Sequence, residues 1–169
     1  MDYFGRNNRP THVALLVFRQ SQDGDHEILV GRRPDADQAF FFPTRELEYD
    51  QPETHAARCL SEVNFGIELS ATDVTFRKSF EFGNDRTNRV RAFYLRSTPE
   101  FDAVASDGEL RLGWKYEFIH LSKFWPPKQL FLIPGVDLDW VLVGHMLDEF
   151  MTYVEPHLSG FVEPHWARS

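Results

Sequence analysis

The segment QPETHAARCLSEVNFGI, residues 51–67, decides how this chain is read, because its apolar spacing differs from that of the stretches on either side. Ala56, Leu60, Val63 and Ile67 recur at steps of four, three and four, which is the stripe of an amphipathic helix. Pro52 stands where a first-turn proline is tolerated, since the N–H it lacks has no partner inside a helix. Gly66 stands where a helix is stopped by a left-handed residue. The spacing therefore predicts a helix of about four turns that buries the Ala56, Leu60 and Val63 side.

Outward from that helix the pattern turns to strands. Upstream, His12 to Phe18 is an apolar run rich in β-formers, Asp23-Gly24 is a turn signal, and Ile28-Leu29-Val30 resumes the run, which predicts a hairpin. Arg33 to Asp37 reads as a loop, Ala39 to Phe42 as a short strand, and Pro43 as its stop. Downstream, Thr75 to Phe82 and Arg89 to Ser97 read as strands around Gly83-Asn84-Asp85, and Trp114 to Leu121 as another. Asp137 reads as the cap of a second helix running to about Glu155, with Leu138, Val141, Leu142, His145, Met146, Glu149 and Phe150 tracing a mostly apolar face. Hairpin, strand, helix, strands and helix in that order imply an α+β chain with a mixed sheet between helices.

Composition bounds the function. The chain has 169 residues, 42% of them hydrophobic, and 16 are Phe, enough for one packed core. Cys59 is the single cysteine, which excludes an intrachain disulfide and a zinc site built on several cysteines. The N-terminal residues lack a basic region followed by an apolar stretch, and no run reaches the ~18 apolar residues of a membrane span. These features predict a soluble, cytoplasmic protein with no membrane partner. The net charge of −8 repels phosphate backbones, so nucleic acid is not the expected partner. Local exceptions would be Arg32-Arg33 and the spread Arg86, Arg89, Arg91.

Four segments in this order and spacing resemble the Nudix superfamily. They are Val13 to Val17 with Ile28 to Arg33, then Phe41-Phe42-Pro43, then Glu53 to Ile67, then Glu109 to Leu121. The resemblance implies a Nudix fold, a mixed β-sheet sandwiched between helices (α/β/α), with one domain over residues 1–169 and its core at about 10–155. The family's signature is Gly, five residues, Glu, seven residues, then Arg-Glu-apolar-any-Glu-Glu-any-Gly-apolar. Its glutamates hold Mg²⁺ or Mn²⁺ against a pyrophosphate and help to activate water.

Here that signature is degenerate in either of two registers. Keeping Pro43 and Gly66 without gaps puts Arg45 and Gln51 at the loop Gly and Glu, Cys59-Leu60 at the Arg-Glu pair, and Val63-Asn64 at the closing Glu-Glu pair. Keeping Arg58 as the signature arginine puts Asp50 at the loop glutamate and Glu62 at the first closing glutamate, at the cost of one deletion and one insertion. Burial of Leu60 with Ala56 and Val63 favours the second register. In that reading the catalytic candidates are Glu62, Arg58 and Glu109, the metal candidates Asp50 and Glu62, and the substrate-binding candidates Arg32, Arg33, Glu48 and Asp50. Glu46 is a further acid that the loop could supply. Mg²⁺ or Mn²⁺ is the implied cofactor, with tight binding not expected, because a hard dication wants several oxygens at once.

Each candidate also has a structural explanation. Arg58 and Glu62 stand four apart, as an exposed helical ion pair would. His55, His120 and His145 have no metal-ligand spacing with one another. Cys59 reads as a half-buried thiol and not a nucleophile, and the Phe40-Phe41-Phe42 run as core strand, one ring of which could stack on a base. Three functions compete. The first is a Nudix-fold protein that has lost pyrophosphohydrolysis and binds a nucleotide-like small molecule or a protein partner. The second is a divergent hydrolase of nucleoside diphosphates linked to another moiety, and the third a structural module in a larger assembly. A homodimer is compatible with all three.

Overall fold

The structure is a computed structural model that describes residues 10–32, 40–74, 77–82, 88–120, 131–133, 136–138 and 145. The predicted hairpin is β1 (His12–Gln20) and β2 (His26–Arg32), antiparallel, with Arg19 opposite Glu27. β1 is buried from Val13 to Phe18 on both faces, which is why it reads as a continuous apolar run and not as an alternating one. Along its other edge lies β6 (Asn88–Arg96), which runs parallel to it from His12 opposite Val90 to Phe18 opposite Arg96. β5 (Arg77–Phe82) pairs antiparallel with β6 and forms one edge.

The sheet order is β10-β9-β3-β2-β1-β6-β5, where β3 is Phe40–Phe41, β9 is Phe131–Ile133 and β10 is Val136–Leu138. β4 (Thr44–Glu46) pairs with the first residues of β1. β8 (Trp114–His120) lies antiparallel along β2, with β7 (Leu110–Arg111) folded back on it. A mixed sheet carrying helices is the α+β architecture expected from the sequence.

The helix of residues 51–67 is α1 (Glu53–Phe65), and it packs on β1. Gly66 closes it at φ 70°, donating its N–H to Glu62 O, while Ile67 N–H reaches Ser61 O. The buried face differs from the predicted stripe. It comprises Ala56, Ala57, Leu60, Ser61 and Phe65, whereas Val63 is 61% exposed. Small side chains at Ala57 and Ser61 let the helix lie close to the sheet, and Phe65 fills the space at its end.

Two further differences concern helices. α2 (Pro99–Asp107), which sequence reading did not place, packs against β8. Pro99 occupies its first turn with Glu100 and Asp102, and Gly108 ends it at φ 69°. Asp137 does not cap a helix, because Val136–Leu138 pair as β10 with Phe131–Ile133. The rest of the predicted helix to Glu155 lies outside the described residues, His145 excepted, and His145 is helical. Phe65 of α1 makes edge contacts with Phe101 of α2 at 5.6 Å and with Tyr116 of β8 at 4.7 Å. The three elements thus share one aromatic joint.

Candidate functional site

Two places on the molecule bear on function, and the first is the exposed side of α1. Arg58 does not pair with Glu62. Its Nε donates to Leu69 O at 2.7 Å, which ties the helix to the segment that follows it. Glu62 is exposed on the outer face of the helix. Ser61 is fully buried, and its Oγ donates to Ile67 O at 2.8 Å. The apolar signature position is Ser61 in the ungapped register and Leu60 in the one anchored on Arg58; both are buried, and Val63, a glutamate position in either, is exposed. The ungapped register is the one that keeps the signature glycine at Gly66, where α1 ends.

In the ungapped register the three helical acids of the signature are replaced by Leu60, Val63 and Asn64. Leu60 is buried in the core. Asn64 is occupied twice: Nδ2 donates to Leu60 O at 2.8 Å, and Oδ1 accepts from the Tyr116 hydroxyl at 3.1 Å. Burial holds the Tyr116 phenol well above its usual range, so it remains a donor. Arg111 closes the back of this region, donating to Phe65 O at 3.3 Å and to Asp107 Oδ2 at 2.7 Å. An apolar side chain, an exposed valine and a neutral amide do not fit a hard dication, which needs converging anionic oxygens.

The remaining candidates are dispersed. Glu48 and Asp50 are exposed before α1, with Glu48 3.9 Å from Arg45. Glu46 is likewise exposed, at the end of β4. Glu109 is exposed after α2, where its backbone N–H donates to Asp107 Oδ1. That bond, followed by the Arg111 contact, holds the Asp107 carboxyl below its usual range. Arg32 pairs with Glu117 at 3.0 Å, and Arg33 lies outside the described residues. Glu53, at the first turn of α1, takes Arg77 at 3.2 Å and Arg91 at 3.5 Å. Cys59 is half-buried as expected, yet His55 Nε2 stands 3.6 Å from its sulfur, one helical turn away.

The second place is a pocket of about 650 Å³ at the far end of the hairpin, lined by Arg19, Gln20, Ser21, Gln22, Asp23, Glu27, Asp102 and His120. Strand register builds its floor: Arg19 lies opposite Glu27 across β1 and β2, and Glu27 opposite His120 across β2 and β8. The largely buried Glu27 carboxylate accepts from Arg19 Nε at 2.8 Å and lies 3.4 Å from His120 Nε2. Arg19 also reaches Asp102 of α2 at 3.2 Å and covers the Phe118 ring at 3.9 Å. Asp23, Asp25 and His120 bring one ligand atom each within 4.8 Å of one another, and among the described residues this is the one such group of His, Cys or acidic side chains. Sequence reading took Asp23 as part of a turn and set His120 aside. The strand register that joins them is not visible in residue spacing.

No family profile matches the sequence. No curated protein matches it either. Solved structures do match the fold. An Ap4A hydrolase from C. elegans is 13% identical over 85% of this chain and 96% of its own, with a TM-score of 0.52. A mutT/nudix family protein from Listeria innocua is 14% identical over 89% of this chain and 99% of its own, with a TM-score of 0.51. The T. brucei MERS1 protein, solved in complex with RNA, is 14% identical over 69% of this chain, with a TM-score of 0.51. This chain spans 53%, about half, of that trypanosomal protein's length. The chain therefore has the Nudix fold. No helix among the described residues is long and apolar enough to cross a membrane.

Proposed function

We propose that this protein is a single-domain, cytoplasmic Nudix-fold binding protein that does not use α1 for metal-dependent pyrophosphate hydrolysis, and that its ligand is nucleotide-like. The observation that carries this reading is the Asn64–Tyr116 hydrogen bond, which, in the register that keeps Gly66, puts a neutral, hydrogen-bonded amide at a signature acid position. Hydrolysis of this kind needs a metal to neutralise the pyrophosphate and to lower the pKa of water, and Leu60, Val63 and Asn64 supply neither. The neighbours in fold include a dinucleoside polyphosphate hydrolase and a protein solved with RNA, which supports nucleotide chemistry in the ligand. Arg32, with Arg33 beside it in sequence, is the candidate grip for a phosphate group.

A second reading, a divergent hydrolase, draws on one feature: Glu62, Glu109 and Asp50 are exposed and accessible. The two separate in one experiment with dinucleoside polyphosphates, ADP-ribose and nucleoside triphosphates in Mg²⁺ or Mn²⁺. Calorimetric binding without turnover, weakened by Arg32→Ala or Arg33→Ala, is the expected result. Turnover abolished by Glu62→Gln and Glu109→Gln would instead establish the hydrolase. No binding of any of these compounds would move the proposal to a protein partner.

A further inference from the structure

We propose that Asp23, Asp25 and His120 form a binding site for a divalent transition-metal ion at the mouth of the hairpin pocket, away from α1 and independent of the reading above. Their ligand atoms converge within 4.8 Å, and His120 Nδ1 lies 3.7 Å from Asp25 Oδ2. That separation suits two donors on the coordination sphere of one ion, since metal–ligand bonds of about 2.0–2.2 Å set neighbouring donors roughly 3 Å or a little more apart.

Two observations distinguish this from a pair of solvated aspartates. The first is the imidazole and what stands behind it. Glu27, largely buried and held by Arg19 at 2.8 Å, places a carboxylate 3.4 Å from His120 Nε2. A fixed anion on that side favours the proton on Nε2 and leaves the Nδ1 lone pair facing the aspartates. A carboxylate behind a ligating histidine is the usual way in which proteins orient such a ring and raise its basicity. The cross-strand register of Glu27 and His120 makes this arrangement part of the sheet and not a chance meeting of loop side chains.

The second observation is the pocket itself. Its lining includes Asp23, Glu27, Asp102 and His120, so one side of the ion would remain open to water or to a further oxygen ligand. Three carboxylates, Asp23, Glu27 and Asp102, line that space with one guanidinium, Arg19, and Asp25 stands next to Asp23 and His120 at its mouth. The local field therefore attracts a cation. The Ser21 hydroxyl and the Asp25 backbone N–H both donate to Asp23 Oδ1 and so orient its carboxylate. Two carboxylates with one imidazole suit Zn²⁺, Co²⁺ or Mn²⁺, whereas Mg²⁺ prefers oxygen ligands throughout.

Calorimetric titration with Zn²⁺ tests the site, backed by the visible absorption of bound Co²⁺. Both are run on the protein carrying Cys59→Ser, so that the His55–Cys59 pair supplies no signal. The expected result is one ion per chain that excess Mg²⁺ does not displace, bound at least tenfold more weakly by His120→Ala and by Asp25→Asn. Asp25 is an exposed turn residue, so the second variant keeps the fold. Glu27→Gln should weaken binding by about 10–100-fold, as loss of an orienting carboxylate does. Zn²⁺ affinity unchanged in both the His120 and Asp25 variants, or no Zn²⁺ or Co²⁺ bound at all, overturns the proposal.

Discussion

The Tyr116 hydroxyl donates to Asn64 Oδ1 at 3.1 Å and so joins β8 to α1 across the aromatic joint of Phe65 and Phe101. A buried phenol with its partner in place stabilises the fold, and removing the hydroxyl strands the amide oxygen. Tyr116→Phe should cost about 1–2 kcal/mol in urea denaturation at neutral pH.

The same tyrosine makes stability depend on pH. Unfolded, it ionises near pH ~10, while burial in the folded protein keeps it protonated to higher pH. Its contribution is therefore fully present below pH ~10 and is lost as pH rises beyond it, because the unfolded chain then releases a proton that the folded chain retains. Denaturation midpoints measured up to the alkaline limit should fall, and Tyr116→Phe should flatten the fall. Equal slopes for both proteins would assign the effect to other groups.

The burial on α1 predicts opposite results for adjacent positions. Ser61→Leu puts a larger side chain where there is no room and should destabilise by about 1–3 kcal/mol. Val63→Glu changes an exposed position and should stay within about 0.5 kcal/mol. A reversal of that order would mean that α1 turns its other face to the sheet.

Gly66→Ala isolates backbone strain, since nothing lies within 4 Å of where the new Cβ would sit and φ is +70°. The cost should be about 1–2 kcal/mol, the usual penalty of a side chain in the left-handed region. A neutral effect would mean that the helix end rearranges.

Magnesium tests the same helix from the chemical side. With Leu60, Val63 and Asn64 in place of acids, calorimetry should find no Mg²⁺ site tighter than roughly millimolar, the weak end of the hard-cation range. A micromolar Mg²⁺ site lost on Glu62→Gln would return the protein to the hydrolases.

Much of the fold could be read from local pattern. The α1 limits followed from Pro52 and Gly66, and β1 and β2 from their apolar runs and the Asp23-Gly24 turn. α2 was also legible, since Pro99 with Glu100 and Asp102 marks a helix start and Gly108 an end, yet its short apolar stripe of Phe101 and Val104 is weak beside those of the strands. What spacing could not convey was which face of α1 is buried. A serine and an alanine line it because the sheet comes close, and the exposed Val63 mimics a core position. The Arg19–Glu27–His120 row was invisible for a different reason. It is assembled across three strands by register, and Glu27 and His120 lie far apart in the chain.

The parallel pairing of β1 with β6 has a consequence for how the chain is made. Thr11 and Arg89 bond to each other across 78 residues, so one flank of the first strand stays unsatisfied until β6 has been synthesised. During that interval the run Val13 to Phe18 is a sticky, half-paired segment of the nascent chain, and contacts of such long range form slowly. Yield in the cell should therefore depend on chaperone supply and on translation speed between β2 and β6, quite apart from the stability of the finished protein.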